Sequence, residues 1–347
     1  MPSIKATEMD AHASRPTDFG LQSAIESAHL AFQEAVAKGY KNWIVMFSGG
    51  KDSTALAVLA IEWIKLNIES QVELNIVFSD TGVEIPTINK QAANFLDYIE
   101  NLHIDQIKVH RFRPKLEQTF WTLMIGKGYP PPNQNFRWCT DKLKIRPAQD
   151  LIKVLQSSGS TAVFTGVRFG ESDVRDSRMY SACSRGGECG QGVWFDDSKR
   201  KGAAYFAPIA FWRQCDVWDF VNFEAFSLGY PTSELETVYN GKDTRFGCWT
   251  CSVVTRDVAM LRTIENGHTS FKAMLDFRSW MIEQSAILEN RVIRPNNAKG
   301  RLNLATRRNM LYKLLETQQN ANIELISQEE VEEIRQIWRN PKYGDQY

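Results

Sequence analysis

Residues 43–64, WIVMFSGGKDSTALAVLAIEWI, constrain the fold of this chain more than any other segment. A short apolar run ends at Phe47, two glycines and a lysine follow, and an amphipathic segment begins at Thr54. This order predicts a buried strand, a tight turn and a helix. Because the glycines free backbone N–H groups and the helix N-terminus carries partial positive charge, we expect the turn to bind an anion, phosphate above all.

Short, apolar, β-branched runs recur along the chain, separated by segments of helical periodicity. The runs that we predict to be parallel strands are residues 43–47, 74–79, 107–110 and 162–167. A helix is predicted at 21–38, and a further apolar run at 204–211 leads into a helical segment at 216–220. This alternation is typical of an α/β fold with a doubly wound, mostly parallel sheet.

Composition and periodicity divide the chain into three parts. Residues 1–20 indicate a flexible tail, residues 21–255 the α/β domain, and residues 256–347 a helical C-terminal region interrupted at 294–300. Within the domain, residues 178–201 are rich in Cys, Gly, Ser and charge and have no periodicity. Such a stretch predicts a long functional loop.

Charge and cysteine content limit the classes of function. Lys plus Arg and Asp plus Glu both number 41, so no net charge draws the chain to nucleic acid or acidic lipid, and a polyanion would need a local basic patch. The sequence has neither a signal-peptide pattern nor an apolar run of membrane-spanning length, so we expect a cytoplasmic protein with no membrane partner. There, six cysteines are core thiols, metal ligands or reactive groups rather than a disulfide framework.

The residues around Lys51 exclude the commonest phosphate loop. A Walker A loop needs glycine at the position of Val45 and Ser or Thr directly after the lysine, where this chain has Asp52. For two glycines alone, the plain alternative is a tight turn with a solvent-facing lysine. The full hexapeptide SGGKDS, residues 48–53, resembles the pyrophosphate loop of the ATP pyrophosphatase superfamily. Members of that superfamily cleave ATP between the α and β phosphates, adenylylate a substrate oxygen and release pyrophosphate.

Further stretches resemble one branch of that superfamily. Residues 78–84, FSDTGVE, and residues 165–168, TGVR, followed by Glu-Ser at 171–172, resemble segments of the phosphoadenylylsulfate reductase branch. Residues 137–145, RWCTDKLKI, resemble a stretch of the DNA phosphorothioation sulfurtransferases of the Dnd type. Because these matches follow one another in order, we interpret the chain as most similar to those sulfurtransferases.

The resemblance implies an ATP site. In an open parallel sheet, ligands bind outside the carboxyl ends of the strands, where Ser48, Asp80 and Arg168 are predicted to share one pocket. The residues predicted to bind ATP are Ser48, Gly49, Gly50, Lys51, Asp52, Ser53, Asp80, Thr81, Gly166 and Arg168. The residues predicted to take part in catalysis are Lys51, Asp52, Cys139 and Arg168.

Each charged residue of the site has an expected role. Lys51 and the loop amides would neutralise the departing pyrophosphate, and Asp52 or Asp80 would hold Mg²⁺ against phosphate oxygens. Arg168 would clamp the α-phosphate or the acceptor. Lys144 and Arg146 are further candidates for that clamp, with a solvated surface charge as their alternative.

The cysteines indicate a metal centre. Cys248 and Cys251 form a C-x-x-C pair, which by itself fits zinc, an iron–sulfur cluster or a redox dithiol. The resemblance implies a [4Fe–4S] cluster. Dnd-type sequences place two further cysteines shortly before this pair, whereas residues 228–244 contain none. Cys183, Cys189 or Cys215 would have to replace them, and which four of the five bind the cluster stays open.

Cys139 is a separate candidate. The cations Lys142, Lys144 and Arg146 follow it, and we expect them to lower its pKa and favour the thiolate. A thiolate there would carry a persulfide sulfur or serve as a cluster ligand. A strand-edge thiol beside Trp138 is the plain alternative.

The sequence thus predicts an ATP-dependent sulfurtransferase with ATP pyrophosphatase activity. Adenylylation would activate a DNA backbone phosphate, and a persulfide from a cysteine desulfurase would displace AMP and leave a phosphorothioate. Other phosphorothioation-system proteins are expected partners. Basic segments at 111–115, 198–201 and 294–301 are candidates to bind DNA phosphates, although such runs are more often solvated faces.

Three other functions share parts of this pattern. A reductase of adenylylsulfate or its 3′-phosphate would use the same nucleotide pocket, but such reductases carry a catalytic cysteine near the C-terminus and no cysteine follows Cys251 here. A tRNA thiolation enzyme would activate a base carbonyl by the same logic. A non-catalytic nucleotide-sensing subunit is disfavoured because the loop, DTG and GVR segments are intact.

Overall fold

The computed structural model describes residues 20–156, 160–170, 176, 194–196, 203–239, 247–340 and 342–343. The predicted tail, apart from Gly20, and most of the insertion predicted at 178–201 lie outside these residues. The chain forms two compact units. The first combines Met1–Phe78, Asn94–His110 and Ile152–Ser233, and the second combines Ser79–Ala93, Arg111–Leu151 and Glu234–Tyr347.

Helices and strands alternate through the first half of the chain, and helices prevail after Tyr239. The α-helices of eight residues or more in the described part are α1 (Leu21–Ala37), α2 (Lys51–Leu66), α3 (Pro86–Glu100), α4 (Arg146–Gln156), α5 (Val258–Glu265), α6 (Lys272–Ala286), α7 (Leu304–Ala321) and α8 (Gln328–Arg339). The strands there are β1 (Asn42–Phe47), β2 (Glu73–Ser79), β3 (Ile107–Phe112), β4 (Thr161–Phe164), β5 (Trp194–Asp196), β6 (Ala203–Ala207), β7 (Arg291–Ile293) and β8 (Lys299–Leu302). Shorter α-helices lie at Gln214–Asp219 and Ser233–Tyr239, and π-helical turns at Thr122–Gly126, Thr140–Ile145 and Phe220–Ala225.

A six-stranded sheet has the order β3-β2-β1-β4-β6-β5. Strand β1 pairs in parallel with β2 and β4, β4 pairs in parallel with β6, and β5 is antiparallel to β6. The order 3-2-1-4 is that of a doubly wound sheet, in which the direction of winding reverses between β1 and β4. The predicted α/β fold with a mostly parallel sheet and a helical C-terminal region is confirmed.

The bounds of β1, β2 and β3 differ from the prediction by one or two residues. Strand β4 ends at Phe164 rather than at residue 167, and Gly166 beyond it lies close to the backbone of Asp52. The apolar run at 204–211 forms strand β6 only as far as Ala207, since Pro208 has no N–H to donate to a ladder. Strand β5, at Trp194–Asp196, lies within the insertion that was predicted to be loop throughout.

Aromatic side chains fill the core of the first unit beside β1. Trp43 is fully buried and its ring lies 4.9 Å from that of Trp63 on α2 and 4.9 Å from that of Phe164 on β4. Phe32 on α1 stacks on Trp43 at 5.3 Å. Such rings contribute large apolar areas and fix the helices against the strand that carries the glycine turn.

The second unit has its own core, built from the C-terminal helices and residues 120–125. Trp121 is buried and donates through Nε1 to the carbonyl of Leu325 at 2.7 Å, and Trp338 on α8 donates to the carbonyl of Ile125 at 3.0 Å. The hairpin β7–β8 occupies the predicted interruption of the helical pattern at 294–300. Among the helices that the structure describes, none combines the length and apolar character that a membrane span requires.

Candidate functional site

The glycine turn follows β1 and ends in the first turn of α2. Gly49 has φ +77°, the left-handed region that glycine adopts without strain. The hydroxyl of Ser53 accepts from the amide of Ser48 at 3.1 Å and donates to the carbonyl of Gly50 at 2.9 Å. These bonds close the loop on itself, so its shape is set before any ligand binds.

Two buried cations and a half-buried carboxylate meet at the start of α2. Asp52 accepts from Lys51 Nζ at 2.8 Å through Oδ2 and from Arg168 Nε at 2.6 Å through Oδ1. The whole residues Lys51 and Arg168 are 4% and 6% exposed. One carboxylate therefore lies between two buried cations at the N-terminal end of α2, and the partial positive charge of a helix N-terminus favours anions.

The segment after β4 comes close to the same helix. A Cβ atom on Gly166 would lie 3.0 Å from the carbonyl oxygen of Asp52 and 3.2 Å from the amide nitrogen of Ser53. Only glycine fits this approach without a shift of one backbone. Arg168, two residues later, also donates through Nη1 to the carbonyl of Trp212 at 3.3 Å, which fixes its guanidinium.

The turn after β1 and the segment after β4 flank the point at which the sheet reverses its winding. Ligands of doubly wound sheets bind at this point, outside the carboxyl ends of the strands. The predicted residues Ser48–Ser53, Gly166 and Arg168 therefore come together in the first unit. Asp80 belongs to the second unit, and its place in one pocket with Ser48 and Arg168 stays a prediction.

In the second unit, Asp80 and Thr81 are engaged by neighbouring side chains. Asp80, 7% exposed, accepts from Arg113 Nε at 2.7 Å and, through Oδ1, from the amide of Gly82 at 3.0 Å. Thr81 donates its hydroxyl to Glu84 at 2.6 Å. Arg113 was predicted only as part of a basic segment. The sequence does not reveal that Arg113 pairs with Asp80, because Asp80 follows strand β2 and Arg113 follows strand β3.

Three thiols lie within electrostatic reach of one another in the second unit. Negative charge on Cys251 raises the pKa of Cys139, and negative charge on Cys139 raises the pKa of Cys248. Residue 248 also forms a β-bridge with Glu84, and its Sγ lies 4.0 Å from the hydroxyl of Thr81. The structure thus places Cys139 with the C-x-x-C pair, from which the sequence separated it.

The expectation of a lowered pKa at Cys139 is wrong. Burial raises the pKa of the Cys139 thiol, and Lys144 offsets only part of that effect. Burial likewise raises the pKa of Cys248 to about 12. Both groups are neutral thiols at neutral pH unless a metal or a further positive charge binds to them.

Lys144 is the cation of this thiol group. Burial lowers the pKa of its ammonium, whereas Cys248 in its thiolate form and the Glu84 carboxylate raise it, and the net direction is upward. Lys144 Nζ lies 3.5 Å from Glu84 Oε1. The side chain is 48% exposed, so the ammonium faces both the thiols and solvent.

A buried arginine holds the loop that follows the C-x-x-C pair. Arg278 on α6 is 4% exposed and donates through Nε to the carbonyl of Cys251 at 2.8 Å and through Nη2 to the carbonyl of Val254 at 2.5 Å. The sequence carries no signal for this role, because an arginine within a helix reads as a surface charge. The bonds fix the backbone on which Cys251 stands.

The remaining predicted cluster ligands are elsewhere or outside the described residues. Cys215 is exposed and belongs to the first unit, whereas Cys248 and Cys251 belong to the second. Cys183 and Cys189 lie outside the described residues. Within the described part of the chain, no three His, Cys, Asp or Glu side chains are grouped so as to hold a metal ion.

Fold and loop together define an α/β protein with a glycine turn at the switch point of its sheet. Residues 42–254, more than half of the chain, match the model of the phosphoadenosine phosphosulfate reductase domain. The chain belongs to the phosphoadenosine phosphosulfate reductase domain family. A relative from Methanocaldococcus jannaschii, the uncharacterized protein MJ0066, is 30% identical over 135 residues, which are 39% of this chain and 24% of that protein. The chain thus spans about a quarter of that relative's length.

Solved structures with a similar fold come from several enzymes. NAD+ synthetase from Burkholderia pseudomallei is 12% identical with a TM-score of 0.38, covering 79% of this chain and 92% of that one. The U34-tRNA thiolase from Methanococcus maripaludis, solved with its [4Fe–4S] cluster, is 12% identical with a TM-score of 0.39, covering 81% and 84%. FMN adenylyltransferase from Candida glabrata, in complex with FAD and inorganic pyrophosphate, is 15% identical with a TM-score of 0.37, covering 66% and 62%. These likenesses concern the fold and carry nothing about the reaction of this chain.

Proposed function

We propose that this chain is an ATP-dependent sulfurtransferase that cleaves ATP between its α and β phosphates and replaces an oxygen of a DNA backbone phosphate with sulfur. The observation that carries the proposal is the buried group Lys51, Asp52 and Arg168 at the turn after β1. Its two cations and the loop amides suit a pyrophosphate leaving group. The family membership of the chain and the motifs shared with the Dnd-type sulfurtransferases support the same reading.

ATP binding would redistribute the charges at this turn. Asp52 pairs with both Lys51 and Arg168, and a polyphosphate would compete with it for both cations. The Asp52 carboxylate would then be free to hold Mg²⁺ against phosphate oxygens. Mg²⁺ prefers oxygen ligands of this kind. Positive groups placed before the reaction stabilise the charge that develops on the leaving pyrophosphate.

The proposed reaction has three bond exchanges. A DNA phosphate oxygen attacks the α-phosphorus of ATP, and pyrophosphate leaves. The terminal sulfur of a cysteine desulfurase persulfide then attacks the DNA phosphorus, and AMP departs with the original oxygen. A second thiol cleaves the remaining S–S bond, which leaves the phosphorothioate and a disulfide, and an external dithiol reduces that disulfide.

We propose that the thiols of the second unit hold an iron–sulfur cluster. A cluster is several atoms wide and takes thiolates that are farther apart than those of a single ion. Cys139, Cys248 and Cys251 are partly buried thiols that interact electrostatically. The positive charge of Lys144 favours the thiolate form of Cys139 and Cys248. We therefore propose these three as ligands, in place of a set that includes Cys215.

When bound, a [4Fe–4S] cluster would supply iron that can hold a sulfur atom. Arg278 would keep the Cys251 backbone in position, and Lys144 would balance the negative charge of the thiolates. Cys139→Ser, Cys248→Ser and Cys251→Ser should each lower the iron content of anaerobically purified protein, and Cys215→Ser should not. If Cys139→Ser keeps its iron while sulfur transfer is lost, Cys139 is a sulfur carrier instead.

The acceptor is tested in cells. We expect phosphorothioate-linked dinucleotides in nuclease digests of DNA from cells that carry the chain with its desulfurase and partner genes, measured by mass spectrometry. They should be absent when the chain carries Asp52→Ala. Sulfur found in tRNA nucleosides would indicate a tRNA thiolation enzyme instead. Sulfite formed from an adenylylsulfate would indicate a reductase.

A further inference from the structure

A cavity of about 390 Å³ opens in the second unit beside the thiol segment. Its walls include the aromatic rings of Tyr129, Phe136 and Trp138 and the cations Arg137, Lys142 and Arg146. The volume is within the range of small-ligand sites. The sequence analysis used Lys142 and Arg146 only as neighbours of Cys139, and it gave Tyr129 and Phe136 no role.

The rings of Tyr129 and Phe136 lie in nearly parallel planes at the cavity. Their ring centroids are 6.5 Å apart and their planes differ by 8°. By contrast, Phe120 and Trp138 stack in direct contact at 5.3 Å.

The rings of Tyr129 and Phe136 are held in place by different contacts. Tyr129 packs edge-on against Trp138 at 5.4 Å, and Trp138 Nε1 donates to the carbonyl of Pro130 at 2.8 Å, so this wall is anchored in the core. Phe136 stands on a tight turn in which Asn133 Oδ1 accepts from its amide at 2.9 Å. Phe136 is nevertheless 46% exposed. A bound aromatic ligand would cover this apolar surface, which water otherwise contacts.

The charge of the walls suits a phosphate. Three cations and one carboxylate, Asp141, line the cavity. Asp141 accepts from Arg146 Nε at 2.8 Å, and Lys142 Nζ lies 5.8 Å from the ring centroid of Tyr129. A surface that joins aromatic faces to cations is the pattern with which proteins bind single-stranded nucleic acid, because bases stack on the rings and phosphates bind the cations.

We propose that the Tyr129–Phe136 cavity binds one unstacked base of a single-stranded DNA segment, with its flanking phosphates on Arg137 and Lys142. Phe136, Arg137 and Trp138 directly precede Cys139 in the chain. The inference rests on the proposed function for the identity of the strand, and it deepens that function by naming the acceptor as locally unpaired DNA. The base is read by its flat face, so we expect little sequence preference at this position.

The test uses the full chain without ATP, so that it does not depend on the sulfur reaction. A fluorescein-labelled oligodeoxynucleotide of about 12 nucleotides is titrated and followed by anisotropy. Phe136→Ala should weaken binding roughly 5- to 150-fold, the range for losing one stacked base, and Phe136→Trp should preserve it. The matched control is Phe223→Ala, which removes a phenyl ring that is 65% exposed in the other unit and should leave binding unchanged.

Charge is tested separately. Arg137→Gln should weaken binding and reduce its dependence on salt, because one phosphate contact is lost, whereas Arg308→Gln, an exposed arginine outside the cavity, should do neither. An aminopurine placed in the strand should lose fluorescence on binding to the unchanged protein and keep it with Phe136→Ala. This second signal reports stacking even if the affinity of the variant is too low to titrate.

The outcomes separate the inference from the proposed function. Equal affinity of Phe136→Ala and the unchanged protein overturns the inference, and it leaves the ATP reaction untouched. A Phe136-dependent affinity supports the inference even if pyrophosphate is never released from ATP. Tighter binding of the same sequence as RNA overturns the assignment to DNA, and tighter binding of the annealed duplex overturns the assignment to a single strand.

Discussion

Arg168 donates from Nε to Oδ1 of Asp52 at 2.6 Å, across 116 residues of chain. Lys51 donates to the other oxygen of the same carboxylate at 2.8 Å. The carboxylate therefore keeps two buried cations in place while no anion is bound. Removing it would leave both cations without this counter-charge in a region with little water.

Asp52→Asn keeps the shape of the side chain and removes its charge. We expect the free energy of unfolding to fall by about 3 kcal/mol, since removing one partner of a buried ion pair is strongly destabilising. Urea denaturation measures the loss. Inorganic pyrophosphate, added without Mg²⁺, should raise the melting temperature of Asp52→Asn more than that of the unchanged protein, because it replaces the missing negative charge.

Asp276→Asn is the matched control. It removes the carboxylate of the Lys272–Asp276 pair, which is 2.7 Å long but has both side chains more than half exposed. We expect a change of less than about 1 kcal/mol there, since exposed pairs contribute little. Equal losses in the two variants would contradict a special role for the Asp52 group.

Gly166→Ala tests the close approach of the segment after β4 to α2. The new methyl group would lie 3.0 Å from the carbonyl oxygen of Asp52, so one backbone must shift. We expect a loss of about 1–3 kcal/mol in stability and a weaker response to pyrophosphate in thermal melts. Gly247→Ala, where a Cβ meets nothing within 4 Å, should leave both unchanged.

The buried thiols predict a slow reaction with alkylating reagents. With its pKa raised from 9.0 to about 12, the Cys248 thiolate fraction at a pH of about 8 falls from roughly a tenth to roughly one in ten thousand. Peptide mapping after iodoacetamide treatment of iron-free protein should find Cys248 labelled at least about a hundredfold more slowly than an ordinary thiol. Rapid labelling of Cys248 at that pH would contradict its burial.

The same shift sets the direction of a pH effect on stability. Because the folded-state pKa of Cys248 lies above that of the unfolded thiol, the contribution of the neutral thiol is fully present below a pH of about 9. It is lost as the pH rises toward 12. Cys248→Ser should reduce this alkaline loss, measured as the change in urea midpoint between the two pH values.

Arg278→Met tests the support of the C-x-x-C loop. The change leaves the carbonyls of Cys251 and Val254 without their donor, and we expect a destabilisation of about 1–3 kcal/mol together with a lower iron content after anaerobic purification. Arg308→Met, on the exposed side of α7, is the control and should retain both stability and iron. Full iron content in Arg278→Met would contradict its positioning role.

The parallel sheet and the glycine turn were predictable because their signals are local. Apolar β-branched runs fix the strands, and SGGKDS places the turn directly after one of them. Gly166 was also assigned to the nucleotide site from its motif alone. What the motif could not reveal is the steric reason, since Asp52 is brought to Gly166 only when β1 and β4 pair.

The thiol group was less predictable because it depends on long-range folding. Cys139 and Cys248 are 109 positions apart in the chain, and only the folded second unit brings their charges within reach of each other. The pKa of Cys139 was predicted in the wrong direction since nearby cations in the sequence were weighed and burial was not. Desolvation is a property of the packed core, and a string of neighbouring residues does not reveal it.

The most direct measurement of the central claim is the fate of ATP labelled separately at its α- and γ-phosphates. The full chain is incubated anaerobically with Mg²⁺, DNA, desulfurase, free cysteine as the sulfur source and a dithiol, and the products are separated by chromatography. We expect label in AMP and in pyrophosphate, with both signals lost in Ser48→Ala and Asp52→Ala and retained in Asp276→Asn. Release of ADP and orthophosphate, or pyrophosphate release that Asp52→Ala does not change, would contradict cleavage between the α and β phosphates at this turn.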